Sequence, residues 1–239
     1  RFATADGIPL LAAPADPTTS SIASYYDAAA PAYEQGHGIG RPGGAWAIRE
    51  KYVPWLRARL TGRERVLELG AGTGLLTRAL AKMSAEVVAS DLALGMLRFG
   101  RERNGLELAV VADAERLPFR DASFDVVVAK NALSYCVHKD RALAEARRVL
   151  VPGGRLLLID MNYVLYLPYH LLALKEWRKA RLWTSQLLQS TPWGWRRRVT
   201  AAGFAIESLS ALNWIPHRFG RAAVTALLPL DALLSRIPL

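Results

Sequence analysis

Residues 66–74, VLELGAGTG, join an apolar run to three glycines in G-x-G-x-G spacing, Gly70, Gly72 and Gly74. Glycine accepts φ > 0 and lets the backbone approach a ligand closely, which suits a tight strand-to-helix turn around a nucleotide-like molecule. A dinucleotide fingerprint puts its third glycine where Leu75 stands, and a P-loop needs a lysine that this turn lacks. Glu68, two residues before Gly70, brings a negative charge that opposes a pyrophosphate and suits a ligand with an ammonium. Asp91 ends EVVASD, 21 residues after Gly70, where an acid chelates a ribose diol. Asp113, in VADAERLPF, is placed to meet an adenine amino group. A ribose, an adenine and an amino-acid-like end without phosphate together describe S-adenosylmethionine (SAM).

These residues need a frame, and residues 65–160 provide one. The runs RVLEL, EVVAS, LELAVV, FDVVVA and GRLLLID alternate with the helical patterns LLTRALAKM, ALGMLRFGRER and KDRALAEARRVL. Strands without polar–apolar alternation are buried on both faces, as in a parallel sheet covered by helices. Strand–helix alternation predicts right-handed βαβ units and a doubly wound, mostly parallel α/β fold. Ligands then lie beyond the carboxyl ends of the strands, so the loops after residues 69, 90, 111, 129 and 160 form the expected site.

Upstream, the first twenty residues read as a loose arm. TSSIASYYDAAAPAYE follows as a helix with Ser20 or Ser21 at its N-cap, and AWAIREKYVPWLRARL as a helix disturbed by Pro54. Downstream, STPWGWRRRVTAAGF reads as a helix with Thr191 at the N-cap, Pro192 at N1 and Gly203 at its end. AIESLSALNW is the expected sixth strand, and RAAVTALLPLDALLSRIPL reads helical.

VLELGAGTG, the Asp91 acid, DAERLPFRDASFDVV and EARRVLVPGG occur in that order and resemble successive motifs of class I SAM-dependent methyltransferases. More narrowly they resemble the small-molecule branch that includes the ubiquinone and menaquinone biosynthesis enzymes, over residues 20–160. The resemblance implies a Rossmann-like methyltransferase fold and methyl transfer to an apolar or amphiphilic small molecule. It implies that Glu68 and the backbone of Gly70, Ala71, Gly72, Thr73 and Gly74 face the methionine end of SAM. Asp91 would hold the ribose, with Leu92 and Met96 near the adenine and Asp113 and Ala114 at its edge. Lys130 and Asn131 would line the reacting end, with Tyr25 and Tyr33 over the cofactor. It divides the chain into an N-terminal arm and helices (1–60), a SAM-binding core (61–160), a helical cap insertion (161–200), and the end of the sheet with a helical tail (201–239). The seventh, antiparallel strand usual in that fold has no counterpart in the sequence.

A methyl on a sulfonium is already activated, so positioning and water exclusion can supply much of the acceleration. A general base is needed only for a weakly nucleophilic acceptor. The loop after the fourth strand, AKNALSYCVHKD, lacks an N-P-P-Y motif, a Pro-Cys pair and paired glutamates, which disfavours DNA-base and protein-arginine methylation. Ser134 and Tyr135 stand where relatives often carry His-His. The candidate catalytic side chains are therefore Asn131, Tyr135, His37 and His170. No His, Asp or Glu cluster has metal-ligand spacing, so no metal is expected. Cys136, the one cysteine, reads as a small buried residue.

The net charge is +10, and residues 161–239 hold ten Lys/Arg against three Asp/Glu together with five of the seven Trp. A basic, aromatic end suits an amphiphilic substrate or peripheral contact with a membrane, and nucleic acid is the less favoured partner. The first residues lack the basic start and apolar run of a signal peptide, and one cysteine fits a reducing compartment, so the expected location is cytoplasmic. Open alternatives are SAM used for a non-methylating reaction or for regulation, and methylation of RNA.

Overall fold

The computed structural model describes residues 3–11, 16–36, 42–160, 191–210, 212 and 221–234. Two short strands, β1 (Thr4–Ala5) and β2 (Ile8–Pro9), pair antiparallel at the start. The expected loose arm is thus ordered in part. Ile8 is fully buried, and the Leu11 N–H donates to the Val111 carbonyl at 3.0 Å, which fastens this stretch to the edge of the main sheet. Burial of an apolar side chain there outweighs the turn-prone composition.

Helix α1 (Pro17–Ala29) starts earlier than expected. Asp16, not Ser20 or Ser21, is its N-cap, accepting from the Thr18 and Thr19 N–H groups at 2.7 and 3.3 Å. Pro17 sits at the first helical position, where a missing N–H costs nothing. After a 3-10 turn (Ala30–Ala32) comes the one-turn helix α2 (Tyr33–Gly36). Helices α3 (Pro42–Ala47) and α4 (Val53–Arg57) flank a π-helical turn, Ile48–Tyr52. Pro54 has no N–H for the Glu50 carbonyl, and the Val53 N–H bonds one residue further back, to Ile48.

The core then runs β3 (Arg65–Leu69), α5 (Leu75–Leu80), β4 (Glu86–Asp91), α6 (Leu94–Asn104), β5 (Ala109–Val111), β6 (Phe124–Lys130), α7 (Lys139–Val149) and β7 (Leu150–Ile159). The five strands form one parallel sheet in the order β5-β4-β3-β6-β7. One face packs on α7, through Ala142, Leu143 and Ala146. The other packs on α3 to α5, through Ala47, Leu56, Leu76 and Leu80. β7 begins before the Pro152-Gly153-Gly154 turn, and its register against β6 jumps from Leu150 to Arg155.

Helix α8 (Pro192–Ala201) has the expected Thr191 cap, whose hydroxyl accepts from the Gly194 N–H at 3.1 Å. Its Trp195 is buried against the α7 side of the sheet. Residues 204–209 are not a strand, contrary to the expected sixth strand, and much of the rest of that segment lies outside the described residues. Helix α9 (Arg221–Leu234) agrees with the helical reading of the tail. Of the expected cap, residues 161–200, the part 161–190 lies outside the described residues, as do His37 and His170, and 191–200 is the Thr191 cap and most of α8.

Candidate active site

The strand order reverses between β3 and β6, and the loops leaving their carboxyl ends meet there. At Gly70, φ is +65°, and a Cβ would stand 2.4 Å from the Ala132 Cβ, so only glycine lets the turn and the post-β6 loop touch. Gly72 also has positive φ, but a Cβ there would meet no atom within 4 Å. The turn thus has one side closed on protein and one side open as a cradle.

Asp91 ties this turn to its neighbours. One carboxylate oxygen accepts from the Gly72 N–H at 2.7 Å and the other from the Ala93 N–H at 2.9 Å. Burial raises its pKa, opposed by those backbone donors. The Ala112 N–H donates to the Asp91 carbonyl at 3.0 Å, so the loop carrying Asp113 leaves beside it. Asp113 is buried and accepts from the Glu115 N–H at 2.9 Å, with Ala114 packed against the core. Leu92 is half-buried. Met96 is buried with Ala30 and Ala93, against Tyr26, Tyr33 and Phe99.

Glu68 lies on β3 with 2% of its surface exposed, and its carboxylate accepts from the Thr77 hydroxyl at 2.6 Å. Desolvation pushes its pKa up to about 7, although Thr77 and the Lys130 charge favour the ionised form. Lys130 ends β6, and burial lowers its pKa to about 8 against the pull of Glu68 and Asp160. Its ammonium is 5.4 Å from the centre of the Tyr52 ring. Asn131 then adopts φ +52°, a conformation that asparagine tolerates better than most residues, and its N–H donates to the Ile159 carbonyl at 2.8 Å. Ser134 is fully buried and donates to Asp160 at 2.8 Å.

Aromatic rings link the N-terminal segment to this loop. Tyr26 meets Tyr33 and Tyr135 edge to face, both at 5.9 Å between ring centres. Burial, with the Tyr135 and Tyr33 phenols close by, pushes the Tyr26 hydroxyl well above its usual pKa. Tyr25 stands further out, 45% exposed, with its ring edge to face with Tyr26 at 5.3 Å. Sequence reasoning named Tyr25 and missed Tyr26. The seven-residue spacing of Tyr26 and Tyr33, two helical turns, was the available signal. It also missed Thr77 and Asp160, which had none. Burial pushes the Cys136 thiol up, away from thiolate character. Among the described residues no group of His, Cys, Asp and Glu could hold a metal ion.

The arrangement fits SAM. The open cradle at Gly72 has the Asp91 carboxylate bonded to it, Glu68 on the strand that leads into it and no lysine or arginine in the turn, which suits a ribose and an ammonium rather than phosphate.

Comparison with known proteins agrees. Residues 67–158 match a family model described as a methyltransferase domain. The ubiquinone/menaquinone biosynthesis C-methyltransferase UbiE of Bordetella avium (strain 197N) is 48% identical over 115 residues, 45% of this chain and 45% of the relative. The match thus spans less than half the length of that curated relative. Among solved structures, BH2331 of Bacillus halodurans C-125 is similar with TM-score 0.52 and 29% identity, over 66% of this chain and 69% of that one. The [4+2]-cyclase SpnF is similar with TM-score 0.51 and 25% identity, over 62% and 60%. Residues 67–158 therefore match a methyltransferase domain, and the chain resembles class I SAM-dependent methyltransferases, the ubiquinone/menaquinone C-methyltransferases among them.

Proposed function

We propose that the chain transfers the methyl group of SAM to an apolar or amphiphilic small molecule, with a quinone-type ring as the first acceptor to test. The supporting observation is the Gly72–Asp91 bond beside buried Glu68, which shapes one end of the site for a ribose and the other for an amino acid. SAM, when bound, supplies a methyl on a sulfonium that is already a good leaving group. In this reading Glu68 holds the ammonium, Asp91 the ribose, and Asp113 the adenine edge. Met96 and Leu92 wall the adenine, and the Tyr26–Tyr33–Tyr135 rings keep water from the reacting end. Asn131 and Tyr135 face the acceptor. Proximity and a dry site then supply the acceleration.

The partner reading is an amphiphilic or membrane-held acceptor met by a peripheral contact. Trp193 is 70% exposed on α8, and Arg196 and Arg197, three and four residues on, are exposed beside it. This supports a surface for anionic headgroups, while Trp177, Trp183 and Trp214 lie outside the described residues.

A second reading keeps the domain and changes the reaction, as SpnF illustrates by name: SAM held while the site promotes a cyclisation. Ser134 and Tyr135 in place of a histidine pair favour keeping it in view.

The test is turnover itself. Incubation with SAM and a panel of quinone, phenol, fatty-acid and RNA acceptors should yield S-adenosylhomocysteine (SAH) with a small apolar acceptor. SAM bound but never converted supports the second reading, and RNA as the only acceptor overturns the first. Charged hydrogen bonds are worth roughly 1.5–3 kcal/mol. Asp91→Ala should therefore weaken SAM binding about tenfold or more in calorimetry with the circular dichroism of the fold kept. Unchanged affinity removes Asp91 from the site.

A further inference from the structure

Helix α6 carries the N-terminal segment on one side and the glycine turn on the other. Near its start, the Gly95 N–H donates to Asp27 of α1 at 2.6 Å. At its last residue, one side-chain nitrogen of Asn104 donates both to Glu34 of α2, at 2.8 Å, and to the Thr73 carbonyl of the turn, at 2.7 Å. Asn104 is 8% exposed and Thr73 2%, so the bond between them lies away from water, where an unmade one is costly, while the bond to Glu34 is part-buried. Between the two attachments Ala30, Tyr26 and Tyr33 pack on Ala93, Met96 and Phe99. The helix also lies flush on the turn, because a Cβ at Gly100 would come 2.8 Å from the Thr73 carbonyl oxygen.

We infer that Asn104 is a positioning residue that couples the N-terminal segment, residues 17–36, to the cofactor turn. Asn104 is the residue of α6 whose side chain bonds to both. A change in the turn on cofactor binding moves the Thr73 carbonyl, and through Asn104 it is felt at Glu34 and hence by Tyr33 beside it. Conversely, Glu34 in place holds Asn104 on Thr73 and keeps the turn in its binding shape. Reciprocity follows, because a coupling free energy acts equally in both directions. The inference rests on the reading of the turn as the SAM site.

The two ends of the clasp can be cut separately. Glu34→Ala removes the bond to α2 and leaves Asn104 on Thr73. Asn104→Leu removes both, and Glu34→Gln keeps an acceptor for Asn104. SAH affinity is read by calorimetry and order in residues 17–36 by hydrogen exchange. SAH should slow exchange in 17–36 of the wild type. Glu34→Ala should lose that protection and bind SAH about fivefold more weakly, a coupling at the low end of the usual range. Glu34→Gln should restore both. Wild type that binds SAH while Glu34→Ala shows the same affinity and protection overturns the clasp alone. Wild type that fails to bind SAH overturns the site reading, and the clasp falls with it. Should Asn104→Leu not fold, the Glu34 pair decides.

Discussion

Glu68 is a carboxyl whose ionisation the fold resists and which we propose pairs with the ligand ammonium. Its folded pKa of about 7 lies above the ordinary value of 4.5. In the free protein the stability it contributes is therefore fully present below about pH 4.5 and is lost as pH rises through 7. A ligand ammonium reverses the preference, so SAM or SAH should bind more weakly as pH falls below 7, by up to about tenfold per unit. Calorimetry in buffers of different ionisation enthalpy should show proton release on binding at pH 6.5. Glu68→Gln should melt above the wild type at pH 8, match it near pH 5, and bind SAH weakly at both. An affinity flat from pH 6 to 8 would count against this role. The places of Glu68 and Asp91 beside the glycine turn were legible from sequence because each lies at the carboxyl end of a strand, β3 or β4. Tyr26 was less legible, since adjacent tyrosines differ only in which way a helix turns them. Asn104 was not, since a helix-end asparagine looks like any other until its neighbours from residues 34 and 73 arrive.

The element that carries Asp113 is a loop clamped by Arg148 of α7. The guanidinium donates to the Phe119 and Leu117 carbonyls at 2.7 and 2.9 Å, and pairs with Asp121 and with both oxygens of Glu145. Glu145 in turn accepts from the Leu117 N–H at 2.7 Å. The fork of Glu145 and Asp121 raises the Arg148 pKa still further. Arg148→Met should cost roughly 2–4 kcal/mol, less than the sum of the bonds, since such networks are not additive. Urea denaturation reads that loss, and SAH affinity should fall as well if the loop positions Asp113. Stability lost with affinity kept would separate the loop from the site. The sheet itself was legible because strands buried on both faces leave an unbroken apolar run. Helix boundaries were less so: Asp16 outcompeted two nearby serines, and Pro54 acted by diverting a hydrogen bond rather than ending a helix. AIESLSALNW is apolar enough to read as a strand, yet residues 204–209 are not one, since apolar content alone supplies no partner strand.

For the molecule as a whole, the uneven charge is the feature most open to test. The last third holds seven of the ten excess positive charges, and α8 presents Trp193 with Arg196 and Arg197. Each basic residue near an anionic bilayer contributes about 1 kcal/mol. Sedimentation with phosphatidylserine vesicles should bring the protein down, phosphatidylcholine vesicles should not, and high salt should release it. Arg196→Gln with Arg197→Gln should weaken the binding several-fold. Equal sedimentation with neutral and anionic vesicles would discount the arginines. No helix among the described residues is long and apolar enough to cross a membrane.

The small hairpin at the start of the chain has a further effect. With Leu11 bonded to Val111 and Ile8 buried, it stands along the outer flank of β5, where a parallel sheet would otherwise present open N–H and C=O groups. Such a flank is a template on which a second chain can add a strand. Residues 8–11 thus act as a shield against self-templated growth of the sheet. Trimming them would bare β5 and open the cluster in which Ile8 packs with Ala71, Leu97 and Val111, so the loss should show both in stability and in solubility at high concentration.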